Sequence, residues 1–85
     1  MVKATIELKS DSGLHARPAS LLVREAGKFT SELTLIKDDK KVDLKSILGV
    51  MSLAVAKGET VVIEAEGVDE QEAVDHLVSF CKQLE

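Results

Sequence analysis

The sequence predicts an α+β fold, an open-faced β-sandwich in which a four-stranded antiparallel sheet is covered on one face by three helices. The first observation is that four segments alternate apolar and polar residues, as strands with one buried face do. The second is that two segments repeat apolar residues at helical spacing, and a third, shorter segment carries an i, i+3, i+4 apolar stripe. The third is their order along the 85 residues, βαββαβα, which we interpret as a single domain spanning residues 1–85.

The first half of the chain predicts a strand, a helix and a hairpin. Every second residue is apolar in residues 2–8, which predicts the first strand. Residues 16–26 change to helical spacing. Residues 31–37 and 40–44 predict two strands of a hairpin that turns at residues 38–39. The predicted inward residues of the first strand and helix are Val2, Ala4, Ile6, Leu8, Ala19, Leu22, Val23 and Ala26.

The second half predicts a short apolar helix, a fourth strand and a final helix. Residues 46–55 form the apolar segment, and residues 60–66 alternate as a strand does. Asp69 is expected to be the N-cap of the last helix, with Glu72 completing a variant of the capping box. The buried stripe expected for that helix is Val74, Leu77, Val78 and Cys81.

Composition excludes several classes of function. A net charge of −4 and only two aromatic residues argue against a nucleic-acid-binding surface. The sequence contains no apolar run of membrane-spanning length and no signal peptide, so we expect a cytoplasmic protein without membrane insertion. Cys81 is the only cysteine, which excludes a disulfide framework and a cysteine-based metal site. No cofactor is expected.

Residues 12–20, SGLHARPAS, place a histidine, an arginine and the only proline at a predicted helix start. A helix N-terminus has free N–H groups and partial positive charge, so it can hold an anion. That charge and Arg17 would keep the His15 imidazole neutral and nucleophilic, and would stabilise a phosphoryl group that it accepts. The alternative is a surface histidine beside an ordinary helix cap. His76, in the middle of the last predicted helix, serves as a control and is expected to lie on a solvated face.

A second candidate site lies in the short apolar segment, which holds more apolar residues than one helical face can bury. One stripe, Val50, Leu53 and Ala54, is expected to face the sheet. A second cluster is then left exposed and predicts a docking surface, the alternative being a fully buried helix. That cluster consists of Ile47, Leu48 and Met51. Ser46 precedes the segment as its N-cap, where a phosphate would add negative charge beside the cluster.

Two segments resemble a known family. Residues 13–20, GLHARPAS, are similar to the active-site signature of HPr, the histidine-containing phosphocarrier of the bacterial phosphoenolpyruvate-dependent sugar phosphotransferase system. Residues 45–59, KSILGVMSLAVAKGE, resemble the regulatory serine segment of that family. The resemblance extends over essentially the whole chain and implies the same open-faced sandwich.

The resemblance also implies a function for each site. His15 would accept a phosphoryl group at Nδ1 from phosphorylated enzyme I and pass it to a histidine of the IIA component of a sugar permease, and Arg17 would assist. Ser46 would match the serine that HPr kinase/phosphorylase modifies. Enzyme I, the IIA domains, that kinase and a catabolite repressor would bind the exposed cluster, Ile47, Leu48 and Met51. A carrier without turnover of its own that docks serially is expected to be a monomer.

Other functions remain open at this stage. Some HPr-like paralogues lack the active histidine and are purely regulatory, and a nitrogen-related phosphotransfer branch also exists. A signalling module could bind partners through the exposed cluster and be switched at Ser46. A small α/β hydrolase such as an acylphosphatase is disfavoured, because no second acid or base lies near His15 in the sequence.

Overall fold

The computed structural model describes residues 1–8 and 16–83, and its elements follow the predicted order βαββαβα. Each predicted strand and helix is present, with boundaries shifted by a few residues at most. The part of the chain described contains no helix long and apolar enough to cross a membrane. The elements are β1 (Val2–Glu7), α1 (Ala16–Ala26), β2 (Glu32–Lys37), β3 (Lys40–Asp43), α2 (Ile47–Ser52), β4 (Thr60–Glu66) and α3 (Glu70–Gln83).

The four strands form one sheet in the order β1-β4-β2-β3, and every neighbouring pair is antiparallel. The central strand β4 pairs Ile63 with Ala4 on one side and with Leu35 on the other. Because paired residues project to the same face of a sheet, the apolar half of each strand meets the helices. The predicted open-faced sandwich is therefore confirmed. The β2–β3 turn begins at Asp38, whose φ of 57° is tolerated by a short polar side chain.

The core between sheet and helices contains aliphatic side chains, alanines and one cysteine. Phe29 and Phe80 pack only at its edge. A core without buried aromatic rings follows from a sequence that has two phenylalanines and no tyrosine or tryptophan. The buried apolar residues are Ile6, Leu8, Ala19, Leu22, Ala26, Leu33, Leu35, Leu44, Val50, Leu53, Val55, Val61, Ile63, Ala65, Ala73, Val74, Leu77 and Cys81.

Asp69 directly precedes α3, and its carbonyl accepts a hydrogen bond of 2.9 Å from the Ala73 N–H, as expected for the N-cap residue. The side-chain contacts differ from the predicted capping box. The acidic side chain that contacts the backbone before the helix is that of Glu70, not Glu72. Its carboxylate accepts a hydrogen bond of 3.1 Å from the Gly67 N–H. The Asp69 carboxylate instead accepts from the N–H groups of Thr30 and Ser31 and from the Ser31 hydroxyl. Sequence spacing identifies a local cap, but here a more distant segment supplies the donors. Asp69 thus fastens the loop before α3 to the loop before β2.

The end of α2 also differs from the prediction. The helix ends at Ser52, and Leu53 is its C-cap, so Ala54 lies beyond the helix. Ala54 is exposed and has a φ of 50°, which corrects its assignment to the buried stripe. The other two members of that stripe, Val50 and Leu53, are buried as predicted. The i, i+3, i+4 pattern extended one residue past the point where the backbone leaves helical geometry.

Candidate functional site

His15 and Arg17 are the two residues predicted to carry the chemistry of the site, and Arg17 lies in the first turn of α1. Arg17 is the second residue of the helix, and its side chain is exposed. Pro18 is the third residue, where a missing N–H removes no intrahelical hydrogen bond. His15 precedes Ala16 in the sequence and lies outside the described residues, so the geometry predicted around it stays a prediction.

The exposed face of α1 continues from Arg17 along the helix. Ser20, Leu21 and Arg24 follow Arg17 at i+3, i+4 and i+7, and all are exposed. The first turn contains no acidic residue. Two arginines and the helix N-terminus therefore give this face positive potential, which suits an anionic group or an acidic partner.

Three apolar side chains of α2 point away from the core. Leu48 is 78% exposed, Ile47 is 38% exposed and Met51 is 39% exposed. The exposure expected from the sequence is present, and we call these three residues the α2 patch. Exposed apolar side chains that cluster on one short helix are typical of protein-binding surfaces.

Leu21 on α1 is a further exposed apolar residue, and sequence reasoning missed it. The side chain is 39% exposed, and α1 packs beside α2. A signal was present in the sequence, because Leu21 follows Arg17 by four residues and therefore shares its helix face. Leu21 lies outside the buried stripe of α1, so the helical pattern of buried residues does not single it out.

Ser46 has the N-cap geometry that its position predicts. Its backbone is extended, and its hydroxyl oxygen accepts a hydrogen bond of 3.1 Å from the Gly49 N–H. The Ser46 carbonyl accepts from the Val50 N–H at 3.0 Å. The side chain is half-buried at the end of α2 that adjoins Ile47. A charge added to this hydroxyl would lie immediately beside the α2 patch.

His76 lies on an exposed face of α3, as expected, but it also makes contacts that the sequence does not predict. Its Nε2 lies 2.7 Å from Glu25 Oε1 on α1, and its ring packs against Phe29 with centroids 5.5 Å apart. Hydrogen bonds from His76 and Lys28 hold the pKa of Glu25 below its usual value. His76 therefore links α3 to α1 and contributes to structure rather than to an anion site.

The remaining reactive side chain is Cys81, on the inner face of α3. The thiol is buried, and burial raises its pKa to about 12, so it stays protonated at neutral pH. Over residues 1–8 and 16–83, no group of three or more histidine, cysteine or acidic side chains could hold a metal ion.

The fold is a small sandwich with an exposed arginine near the start of α1 and exposed apolar side chains on the neighbouring α2. These features are typical of proteins that bind other proteins. Comparison with known proteins defines the class further. The family described as "PTS HPr component phosphorylation site" matches residues 2–83. The chain belongs to the HPr family of phosphocarrier proteins.

The relatives include proteins named HPr and proteins named Crh. The chain is 51% identical over 83 residues to the HPr-like protein Crh of Halalkalibacterium halodurans, covering 98% of this chain and 99% of that protein. HPr-C-His from Thermoanaerobacter tengcongensis has a TM-score of 0.94 and 51% identity, covering 96% of this chain and 92% of that one.

A third relative bears on oligomeric state. Crh of Bacillus subtilis, described as a catabolite repression protein in a swapped-domain dimer, has a TM-score of 0.79 and 48% identity, covering 100% of this chain and 98% of that one. The monomer expected from the sequence therefore stays a prediction.

Proposed function

We propose that this protein is a cytoplasmic phosphoryl carrier of the sugar phosphotransferase system, with His15 as the acceptor. The Nδ1–phosphorus bond would form as the bond from phosphorus to enzyme I breaks, and the reverse exchange would deliver the group to a histidine of a IIA domain. The observation that supports this most is the position of Arg17. Its side chain is exposed in the first turn of α1, directly after Ala16, and that turn contains no acidic residue. A cation at that position can stabilise the charge of the transferred group.

Docking would use the α2 patch together with Leu21. Enzyme I and the IIA domains must each bring a phosphoryl group to the same end of α1, so they need a common surface beside it. The exposed apolar side chains of α2 and the basic face of α1 lie on neighbouring helices. Apolar contacts would supply affinity, and the arginines would favour acidic partners and raise the association rate.

Ser46 is proposed as a regulatory phosphorylation site for an HPr kinase/phosphorylase. A phosphate there would add about 1.5–2 negative charges next to the α2 patch. It would also occupy the end of the helix where Ser46 now caps Gly49. The added charge would weaken docking to acidic partners without unfolding the domain.

A second function is favoured by the identity of the relatives. Two proteins that this chain resembles at 51% and 49% identity are named HPr-like protein Crh. Under this alternative the protein would act in catabolite repression through Ser46 and the α2 patch, and His15 would not carry phosphoryl groups. Phosphoryl transfer from enzyme I distinguishes the two functions.

The test is transfer from phosphorylated enzyme I to the protein and to three variants. His15→Ala should abolish uptake with the fold retained. Leu48→Asp should raise the KM for the carrier about tenfold, since a buried charge at the interface weakens docking. Val68→Asp is the matched control, because Val68 is also apolar and is 100% exposed, but lies in the loop before α3.

Two outcomes would contradict the proposal. Uptake by His15→Ala at an unchanged rate would exclude His15 as the acceptor. Equal KM values for Leu48→Asp and Val68→Asp would remove the docking role of the α2 patch.

A further inference from the structure

The α2 patch lies on a helix that is too short to hold its own shape. Ile47–Ser52 is a helix of six residues, and isolated helices shorter than about 12 residues are marginal in water. Only Val50 within it is buried. The orientation of the α2 patch must therefore depend on the groups that hold the two ends of the helix.

Lys37, on β2, holds the C-terminal end. Its Nζ donates hydrogen bonds to the carbonyl oxygens of Leu53 at 3.1 Å and Ala54 at 3.3 Å. The same Nζ lies 3.0 Å from Glu59 Oε1, and the Lys37 side chain is only 17% exposed. A lysine held by three oxygens in a shielded position is fixed more firmly than one in a surface ion pair.

Glu59 ties this contact to the rest of the loop. Its Oε1 also accepts a hydrogen bond of 2.7 Å from the Ala56 N–H. These two contacts lower the pKa of Glu59, so the carboxylate stays charged over the neutral range. One ammonium and one carboxylate thereby fasten residues 53–56, the segment that follows α2, to β2 and to the start of β4.

The segment that they hold is strained. Ala54 has a φ of 50°, in the left-handed region that favours glycine, and a residue with a Cβ is strained there. The carbonyl groups at the end of a helix also lack intrahelical partners, and a lysine near that end can satisfy them. Without Lys37, this backbone would be the first part of the α2 region to relax.

We propose that Lys37 is a positioning residue that fixes the α2 patch in the orientation that its partners bind. In this proposal Lys37 acts without contacting Ile47, Leu48 or Met51. It holds Leu53 and Ala54, and through them it orients the helix that carries the α2 patch. The proposal rests on the docking role given above to the α2 patch. Loss of the Lys37 contacts would lower the fraction of molecules in the binding-competent form, and the apparent affinity falls in proportion to that fraction.

The experiment compares Lys37→Met with Lys3→Met in phosphoryl transfer from enzyme I. Lys3 is the matched control, because it also pairs with a glutamate, Glu64, at 3.3 Å, but lies on the edge strand β1. Lys37→Arg keeps the charge and the donors. Amide hydrogen exchange at Leu53 and Ala54 is measured on the same samples, well below the melting temperature.

Lys37→Met should raise the KM for the carrier about three- to tenfold and leave kcat unchanged, because the folded carrier still reacts once docked. Exchange at Leu53 and Ala54 should become faster, while exchange in β4 stays as in the parent protein. Lys37→Arg should recover most of the KM, and Lys3→Met should not change it. Glu59→Gln should raise the KM by a smaller factor, about twofold. This variant tests the proposal if Lys37→Met folds poorly.

The results separate this proposal from the one on which it rests. If Leu48→Asp raises the KM and Lys37→Met does not, Lys37 is structural only and the proposal is wrong. An equal rise in Lys37→Met and Lys3→Met would also refute it, since a general loss of stability would then explain both. If Leu48→Asp leaves the KM unchanged, or the parent protein accepts no phosphoryl group, the proposed docking function fails and the role of Lys37 fails with it.

Discussion

The two C-terminal helices of the molecule are held in opposite ways. α3 has 14 residues and buries Ala73, Val74, Leu77 and Cys81 against the sheet. α2 has six residues, buries only Val50 and displays three apolar side chains. Packing along its length holds α3, whereas contacts at its ends hold α2. A protein can thus leave apolar residues exposed for a partner when polar anchors replace the packing that those residues would otherwise provide.

This comparison predicts that substitutions near α3 change stability and that substitutions near α2 change binding. The loop before α3 gives the strictest test of the prediction that substitutions near α3 change stability. Gly67 has a φ of 155°, and a Cβ there would lie 2.6 Å from Ser31 Oγ and 2.7 Å from Ser31 Cα. Ser31 is itself buried, so the neighbouring backbone cannot yield easily.

Gly67→Ala is expected to have the largest effect on stability. The overlap with Ser31 and the positive φ should together cost about 3 kcal/mol or more, lowering the melting temperature by roughly 15 °C. Gly58→Ala is the control, because Gly58 also has a positive φ of 87° but has nothing within 4 Å of its Cβ position. Thermal melts of both variants measure the difference. Equal melting temperatures would show that the contact with Ser31 is not tight.

Asp69→Asn should have the next largest effect, and the effect should depend on pH. Hydrogen bonds from the Ser31 hydroxyl and from backbone N–H groups lower the pKa of Asp69 to about 2. Because the folded-state pKa is depressed, the stabilisation is fully present above the unfolded value of 3.8 and is lost as the pH falls toward 2. The variant should melt about 5–8 °C lower at neutral pH, and the difference should shrink in acid.

Melting curves between neutral pH and pH about 2 test this dependence. Asp75→Asn is the control, since Asp75 is an exposed residue of α3 whose carboxylate accepts a hydrogen bond from Gln71 on the same helix. Some acid sensitivity should remain in Asp69→Asn, because the pKa values of Glu25, Glu59 and Glu70 are also lowered. A difference from the parent protein that does not change with pH would contradict the assignment.

Ala54→Gly should raise the melting temperature by roughly 2–5 °C, because glycine adopts the left-handed backbone without strain. Part of that gain is offset by the greater freedom of glycine in the unfolded chain. Ala56→Gly is the control and should lower the melting temperature. The φ of Ala56 is not positive, so glycine relieves no strain there and only adds freedom to the unfolded chain. A lower melting temperature for Ala54→Gly would indicate that the end of α2 is not strained.

The contact between His76 and Glu25 should matter least. It joins two side chains across α1 and α3 at 2.7 Å, but His76 is 45% exposed, and exposed ion pairs contribute little. A double-mutant cycle of His76→Gln and Glu25→Gln should give a coupling on the order of 2 °C in melting temperature. A coupling larger than the effect of Asp69→Asn would mean that this pair, and not the loop before α3, orders the helix.

Most of the fold could be predicted because its causes are local. Alternation in β4 and helical spacing in α3 are properties of neighbouring residues, and both elements formed as expected. The side-chain contacts of Asp69 and His76 were not predicted, because their partners, Ser31 and Glu25, lie far away in the sequence. Spacing along the chain can identify a residue suited to a cap, but not a donor that another loop brings to it.

The candidate site divides in the same way. The exposure of the α2 patch could be predicted, because a short segment had more apolar residues than one face can bury. The N-cap at Ser46 followed from residue type and position. Lys37 could not be identified, since only the folded hairpin brings β2 to the end of α2. The site around His15 remains a prediction from sequence and family.

The most direct test of the central claim is the intact mass of the protein after incubation with phosphoenolpyruvate and enzyme I, before and after brief acid treatment. A phosphoryl carrier should gain the mass of one phosphoryl group, lose it in acid as a phosphohistidine does, and show the modification at His15 on fragmentation. No gain, with the same enzyme I active on another carrier, would contradict the carrier function. The Crh-like regulatory function would then be favoured.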